Sequence, residues 1–541
     1  MSAAQCFAAV TSLLILPLTL QAADVPLGAK LHAKQEIVRG NGAEPATLDP
    51  AKMQGVPESN LALDLFEGLM STDPEGEIVP GAAEKWEVRD GGKLWTFTLR
   101  RNAKWSDGSP LSAQDFEFAW KRLVDPKTAS PYSWFPGQAS HIANGAEIAQ
   151  GKKPPAALGV KALDDRTLQV RLDEPIGFFL KTLAHSSLLP VPKKIVEQYG
   201  DKWTDSDKLV SNGAYRLATR VVNERIVLVR NPNYWDNAKT VIDKVTFLPI
   251  VQPSAEYQRY RAGAIDMSAN GGVPIDQIKQ IRATIPDELK LWPQLGTYYY
   301  ELNLRVKPFD DWRVRKALAL AIDRKIIVER VTNTGETKAY TFTPPITAGM
   351  KQVRTPAQEM TQPQREELAR KLLAEAGYGP DKPLKFPLLY NTQESHKKLA
   401  LAMSAMWRLK LGVRAELTNQ EWKTYLDSRT RGDFTVARAG WVADYNEPST
   451  MLDVFTTGNG QNHGQYSNPA FDETVRKAKL TANESQRAKL YQDAEQILAQ
   501  DAPMVTVFFY SNKMLVKPWV RGYGRDPQGF VRTKELYILA H

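Results

Sequence analysis

The stretch "AGWVADYNEPST", residues 439–450, poses the problem on which the rest of the sequence turns. Phe434, Val436, Val442 and their neighbours read as a buried strand. Yet Arg438 sits inside that strand, and Asp444 sits at its end, close to Trp441. A guanidinium and a carboxylate in apolar surroundings need partners. In a regular strand, residues 434, 436, 438, 440, 442 and 444 share one face, so Arg438 and Asp444 project the same way. At roughly 3.3 Å per residue their backbones stand about 20 Å apart, too far for a mutual ion pair unless the chain bends. Two readings stay open. Asp444 caps the following "NEPSTML" or pairs with another arginine, and Arg438 belongs to a buried ion pair. Alternatively, the two charges grip something that lies between them.

The chain around this stretch is long, at 541 residues, so two or three domains are expected rather than one core. Hydrophobic residues make up 43% and charged residues 24%, an ordinary globular balance. The net charge of +9 is spread along the chain with no basic run, so no nucleic-acid partner is expected. The N-terminal "CFAAVTSLLILPLTLQAA" is apolar and uncharged, contains Pro17, and is too short for a stable membrane span. It reads as the apolar part of a secretory signal over residues 1–23, cleaved after Ala22 or Ala23, although "MSAAQ" lacks the usual basic residues. Cys6 is the only cysteine and falls inside that signal, which leaves the exported chain without disulfides or cysteine chemistry.

Strand and helix patterns alternate through the chain, so the class is α/β. "WEVRDGGKLWTFTLR" reads as a hairpin turning at Asp90-Gly91-Gly92. "SAQDFEFAWKRL" reads as a helix capped at Ser112 with Phe116, Trp120 and Leu123 as its apolar stripe. "RIVLVRNPNYW" is a strand stopped at Asn231-Pro232. Two later helices are expected to bury Leu368, Leu372 and Ala376 in one case, and Leu490, Ala494, Ile497 and Leu498 in the other.

Catalytic signatures are missing. The six histidines, His32, His141, His185, His396, His463 and His541, show no helical zinc spacing, and no metal or other cofactor is expected. There is no G-x-S-x-G elbow and no phosphate-binding glycine loop. "GNGQNHG", 458–464, reads as a plain surface loop. Aromatic residues do cluster beside polar ones in "SPYSWFPG", "GTYYYELN" and "VFFYSNKM". Core packing and a ring-lined cleft account for them equally well.

Long ordered motifs then carry a resemblance. These are "LDPAKMQGVPESNLALDLFEGLMSTDPEGEIVPGAAEKWEV", "NGAYRLATRVVNERIVLVRNPNYWDN", "FDDWRVRKALALAIDRKII", "ARKLLAEAGYG", "NQEWKTYLDSR" and "ARAGWVADYNEPS". Together they resemble the periplasmic oligopeptide-binding proteins of ABC importers, in the oligopeptide and murein-peptide branch, from about Ala23 to His541. The resemblance implies a periplasmic-binding-protein type II-like clam of two lobes with an extra inserted domain. Domain I would comprise 24–68, 193–295 and 511–541, domain II 69–192, and domain III 296–510. It implies a monomeric, periplasmic, non-enzymatic receptor that hands short peptides to a membrane permease. It also implies that Asp444 holds the peptide ammonium and that main-chain groups near Val56, Gly440 and Val442 hold its backbone. Arg438, Arg429 and His396 would take carboxylates of peptides of different length, while Tyr132, Tyr299, Trp441 and Tyr510 line side-chain pockets. Gln54 and Val442 replace a glutamate and a cysteine of some relatives. A murein-peptide receptor, a chaperone-like holder of unfolded chains and a peptidase are the alternatives.

Overall fold

The computed structural model describes residues 23, 25–351 and 353–541, so nearly all of the expected signal, including Cys6, lies outside the described residues. The strands sort into sheets along the chain. One sheet runs Glu36–Gly40, Lys244–Leu248, Arg225–Arg230, Tyr215–Val221. A second runs Ala83–Arg89, Leu94–Leu99, Thr167–Arg171, Val160–Ala162. The third and largest runs Thr337–Lys338, Met504–Leu515, Leu289–Leu302, Val436–Val442, Lys385–Asn391, Arg414–Gln420.

Two long strands join the first sheet region to the third. Leu289–Leu302 and Met504–Leu515 lie antiparallel, from Leu289 opposite Leu515 to Glu301 opposite Met504. At their far end, Met267 bridges both Arg39 of the first sheet and Val516. These are the aromatic stretches expected to flank a cleft. Their rings divide by parity, as the pleat requires. Tyr298 and Tyr300 pack with Val436, Leu388 and Trp407 in one core. Tyr299, Ala439 and Trp441 pack into the other core, which extends through the first two sheets.

Local expectations hold where the pattern is strong. The hairpin pairs Trp86 with Phe97 and Val88 with Trp95. Its turn is built on left-handed Asp90, Gly91 and Gly92. The helix Ala113–Val124 buries Phe116, Trp120 and Leu123. Its first turn is held by Asp115, whose Oδ2 accepts the Ser112 N–H at 2.9 Å and the Trp105 indole N–H at 3.2 Å. Its Oδ1 accepts the Lys193 N–H at 3.3 Å.

Three expectations are corrected. The helix Glu484–Asp501 buries Ala488, Tyr491, Ala494, Glu495 and Leu498, a face rotated from the expected one, with Leu490 and Ile497 only partly covered. The reason is Glu495, which is fully buried because it accepts the Phe342 and Thr343 N–H groups at 2.9 and 2.6 Å. The loop 458–464 is not a surface loop, since Asn459, Gln461, Asn462 and His463 are all buried. Its amides fasten it to residues 131–138, with Asn459 donating to Gln138 and Gln461 to the Pro131 carbonyl. Arg429 is already engaged as well. Its guanidinium meets Glu301 at 2.8 Å, and Glu301 also accepts the Gly464 N–H at 3.1 Å.

Two stability predictions follow from these partners. Asp115→Ala strands these three donors and the Ser112 hydroxyl, which also donates to Oδ2 at 2.8 Å, so urea unfolding should show a loss on the order of 2–3 kcal/mol. Arg429→Ala leaves Glu301 buried and unpaired, which should cost about 3–5 kcal/mol in the ligand-free protein. Arg438→Ala strands no carboxylate and should cost clearly less in the same measurement.

Candidate functional site

A cavity of about 460 Å³ lies where the three sheet regions meet. It is lined by Gln54, Val56, Tyr132, His396, Arg438, Gly440, Trp441, Val442, Asp444 and Tyr510 of the expected residues. Tyr299 and Arg429 are not in its lining. Tyr299 points the other way, edge-on to Phe342 at 5.1 Å, and its neighbour Tyr298 takes the cavity face. One residue of register separates the two, and the sequence alone does not set it.

The strand Val436–Val442 forms one wall. Along one edge it pairs fully with residues 296–302. Along the other it pairs with Lys385–Asn391 only at Val436 and Ala437. Among the described residues no strand lies beside that second edge from Arg438 to Val442; the Tyr425 hydroxyl donates to the Arg438 carbonyl, and an extended chain could add beyond it, along Gly440 and Val442. The strand ends at Val442, and the Asp444 N–H turns to donate to Thr450 Oγ1 at 2.8 Å. Six residues after Arg438, Asp444 therefore still lines the same cavity, from a turn rather than from a regular strand.

Asp444 is 9% exposed, with two differently placed oxygens. Oδ1 accepts the Tyr132 hydroxyl at 3.2 Å and faces His185 Nε2 at 3.2 Å. His185 Nδ1 accepts the Ser187 N–H at 3.3 Å, which assigns the ring proton to Nε2, toward Asp444. Burial, reinforced by the Asp444 charge, pushes the Tyr132 phenol well above its ordinary pKa, so it remains a donor. Oδ2 is buried and has no hydrogen-bond partner.

Arg438 is also 9% exposed. Its Nη2 donates to the Tyr510 hydroxyl at 2.7 Å, its guanidinium lies 4.7 Å above the Tyr298 ring, and no carboxylate among the described residues pairs with it. Gly440 makes this possible. A Cβ there would fall 2.3 Å from the Tyr510 hydroxyl and 3.1 Å from Arg438 Nη2. His396 lies nearby, its Nδ1 3.4 Å from the Tyr298 hydroxyl. Burial, then the charges of Arg438 and Lys513, hold His396 well below its usual pKa, so it is neutral at pH 7. Lys513, also in the lining, is paired with Glu336 at 2.5 Å.

The cavity is closed over by contacts between distant parts of the chain. Trp422 Nε1 donates to Glu58 at 3.3 Å, Ser254 to Glu394 at 2.5 Å, and Lys181 to the Asn446 carbonyl at 2.9 Å. The sequence reading missed His185, Tyr298 and Trp422. His185 carried no local signal, because its partner is 259 positions later in the chain.

Residues 77–463 match the family described as bacterial extracellular solute-binding proteins, family 5 Middle. The chain is 52% identical over 535 residues to the periplasmic oligopeptide-binding protein OppA of Salmonella typhimurium, covering 99% of this chain and 98% of that one. Its structure superposes on that of the Escherichia coli murein tripeptide binding protein MppA with a TM-score of 0.92, at 47% identity over 94% of this chain and all of that one. On the unliganded open form of MppA the TM-score is 0.68, at the same 47% identity over 95% of this chain and 99% of that one. Equal identity with unequal superposition means that the two forms differ in arrangement, and this structure has the arrangement of the first. By the family match, the long relative and the shared α/β clam, the chain belongs to the bacterial extracellular solute-binding proteins of family 5.

Proposed function

We propose that this chain is the peptide-capturing subunit of an ABC importer, a periplasmic receptor that encloses short peptides and delivers them to a membrane permease. One observation carries the reading. Among the described residues, a strand edge that no other strand covers runs between a buried carboxylate oxygen without a donor and a buried arginine without a counter-charge. A free peptide has an ammonium, an extended backbone and a carboxylate in that order. Asp444 Oδ2 takes the ammonium, the edge from Arg438 to Val442 takes the backbone, and Arg438 takes the carboxylate. Gln54, Val56, Tyr132, Trp441 and Tyr510 bound the spaces left for side chains, where water adapts the fit to different residues. Relatives named for oligopeptides and for murein tripeptides support a peptide ligand.

The length-reading role narrows. Arg429 is committed to Glu301, and His396 is neutral, so Arg438 is left as the carboxylate's cation. A holder of unfolded chains would have no use for buried terminal charges. The division into domains at 69–192 and 296–510 is supported by the separation of the sheets. Catalysis is not proposed. Ser187 meets His185, and His185 meets Asp444, but Ser187 lies outside the cavity lining.

Asp444→Asn keeps the shape and removes the charge, so a free tripeptide should lose on the order of 2–5 kcal/mol, roughly thirtyfold to several thousandfold in affinity. The N-acetylated tripeptide should bind wild type poorly and lose far less in the variant. Calorimetric titration of both ligands into both proteins closes a double-mutant cycle, and a coupling near zero would place the ammonium elsewhere. A second expectation concerns pH. The affinity ratio of wild type to His396→Gln should be the same at about pH 6 and about pH 8, because a neutral buried imidazole does not gain charge in that range. A ratio that climbs on acidification would make His396 a cation for the peptide carboxylate.

A further inference from the structure

Arg532 is a second cavity cation without a partner. It lies in the cavity lining and is 6% exposed. Among the described residues its side chain makes no hydrogen bond and no ion pair within 4.0 Å. The acids around it are engaged or distant. Asp64 accepts the Thr533 N–H at 2.8 Å and lies 4.0 Å from Arg39. Asp526 Oδ1 accepts the Gln528 N–H at 2.7 Å, while its Oδ2 is buried with no hydrogen-bond partner among the described residues and makes no ion pair with Arg532 within 4.0 Å. Both feel the Arg532 charge only through space. Glu77, in the lining of the cavity, is exposed on the rim. Arg532 is thus held by Asp64 and Asp526 only through space, and a carboxylate brought against its guanidinium would give it the direct partner it lacks.

Register places Arg532 at the ammonium end. Gly296 stands opposite Val442 and the Ala443 N–H donates to the Leu295 carbonyl at 2.7 Å, so Gln294 follows directly at the Asp444 end of this pair. Gln294 donates to the Gln528 carbonyl at 3.0 Å, and Gln528 donates to the Ala443 carbonyl, next to Asp444, at 2.8 Å. Gln294, Gln528, Phe530 and Arg532 are all cavity-lining residues. Arg438 and His396 lie at the other end, beside Tyr298. A peptide whose ammonium sits on Asp444 therefore directs its first side chain toward this wall, and only an acidic one supplies what Arg532 lacks.

We propose that Arg532 is a specificity-determining residue that binds the side-chain carboxylate of an aspartate or glutamate in the first position of the peptide. This rests on the peptide reading above. The guanidinium fork matches two carboxylate oxygens, and the pair forms inside a closed cavity, where it is weakly screened. Glu-Ala-Ala and Gln-Ala-Ala have the same shape at the first position and differ in that charge.

The test is calorimetric titration of both peptides into wild type, Arg532→Gln and Arg532→Lys, with thermal unfolding as a check of folding. Wild type should prefer Glu-Ala-Ala by about tenfold or more. Arg532→Gln should bring the ratio to within about twofold, and Arg532→Lys should keep part of it. The wild-type ratio is decisive even if Arg532→Gln does not fold. Equal affinities in wild type, or a preference that survives in Arg532→Gln, would overturn the proposal while leaving peptide binding in place. Failure of wild type to bind either peptide would overturn the peptide reading, and this proposal with it.

Discussion

A buried carboxylate with one oxygen satisfied and the other bare is the constraint on which the site is organised. Removing a charge from water costs several kcal/mol unless its partners are supplied. Asp444 receives two donors on Oδ1, from Tyr132 and His185, and none on Oδ2. Both donors come from the segment that carries the second sheet, while Asp444 follows the strand of the third. The half-satisfied acid is thus also a joint between lobes. The same incomplete pairing recurs at Arg438, which has a phenol and a ring face but no acid. Two opposite charges, each short of one partner and set along an open strand edge, define the polarity of what can bind.

The rest of the sheet serves that arrangement. The two long strands carry the rings that flank the cleft and sort them by parity between two cores. Gly440 keeps the middle of the wall free of side chain, so that Tyr510 reaches Arg438 and a backbone can approach. Behind the wall, Arg429 and Glu301 form a complete ion pair that also fixes the buried loop at Gly464. One arginine of the region is therefore structural, and the other is the one proposed for a ligand. They differ in whether an acid lies across from them.

Much of this was legible in the residues. The hairpin at 86–99 and the helix after Ser112 follow from turn chemistry and period, because each is decided within a dozen positions. Arg438 and Asp444 could be singled out because charge in an apolar strand is anomalous wherever the strand lies. What failed were questions of register and distance. Tyr299 and Tyr298 are equivalent in sequence, and only the pairing with Ala439 and Gly440 decides which one faces the cavity. Glu495 looks like a solvent-facing residue until two N–H groups from residues 342 and 343 fold over it. His185 belongs to the site through a partner far along the chain, and the loop 458–464 is buried by contacts with residues 131–138.

Closure and recognition then have one cause. The contacts across the cavity mouth are few and polar, such as Trp422 to Glu58 and Lys181 to Asn446. Partly solvated polar contacts of this kind are individually weak. Closing without a ligand would also bury Asp444 Oδ2 and the Arg438 guanidinium with their partners missing, which opposes the weak gain at the mouth. On the proposed reading a peptide reverses that balance, because its ammonium and carboxylate would complete Asp444 and Arg438 in the closed form. A ligand shifts a conformational equilibrium by its differential affinity for the two states and by nothing else. Charges left incomplete by the protein are a direct source of that difference. Away from the Arg532 wall, side chains in roomy spaces contribute little to it, so a receptor built this way closes on many peptides of the class.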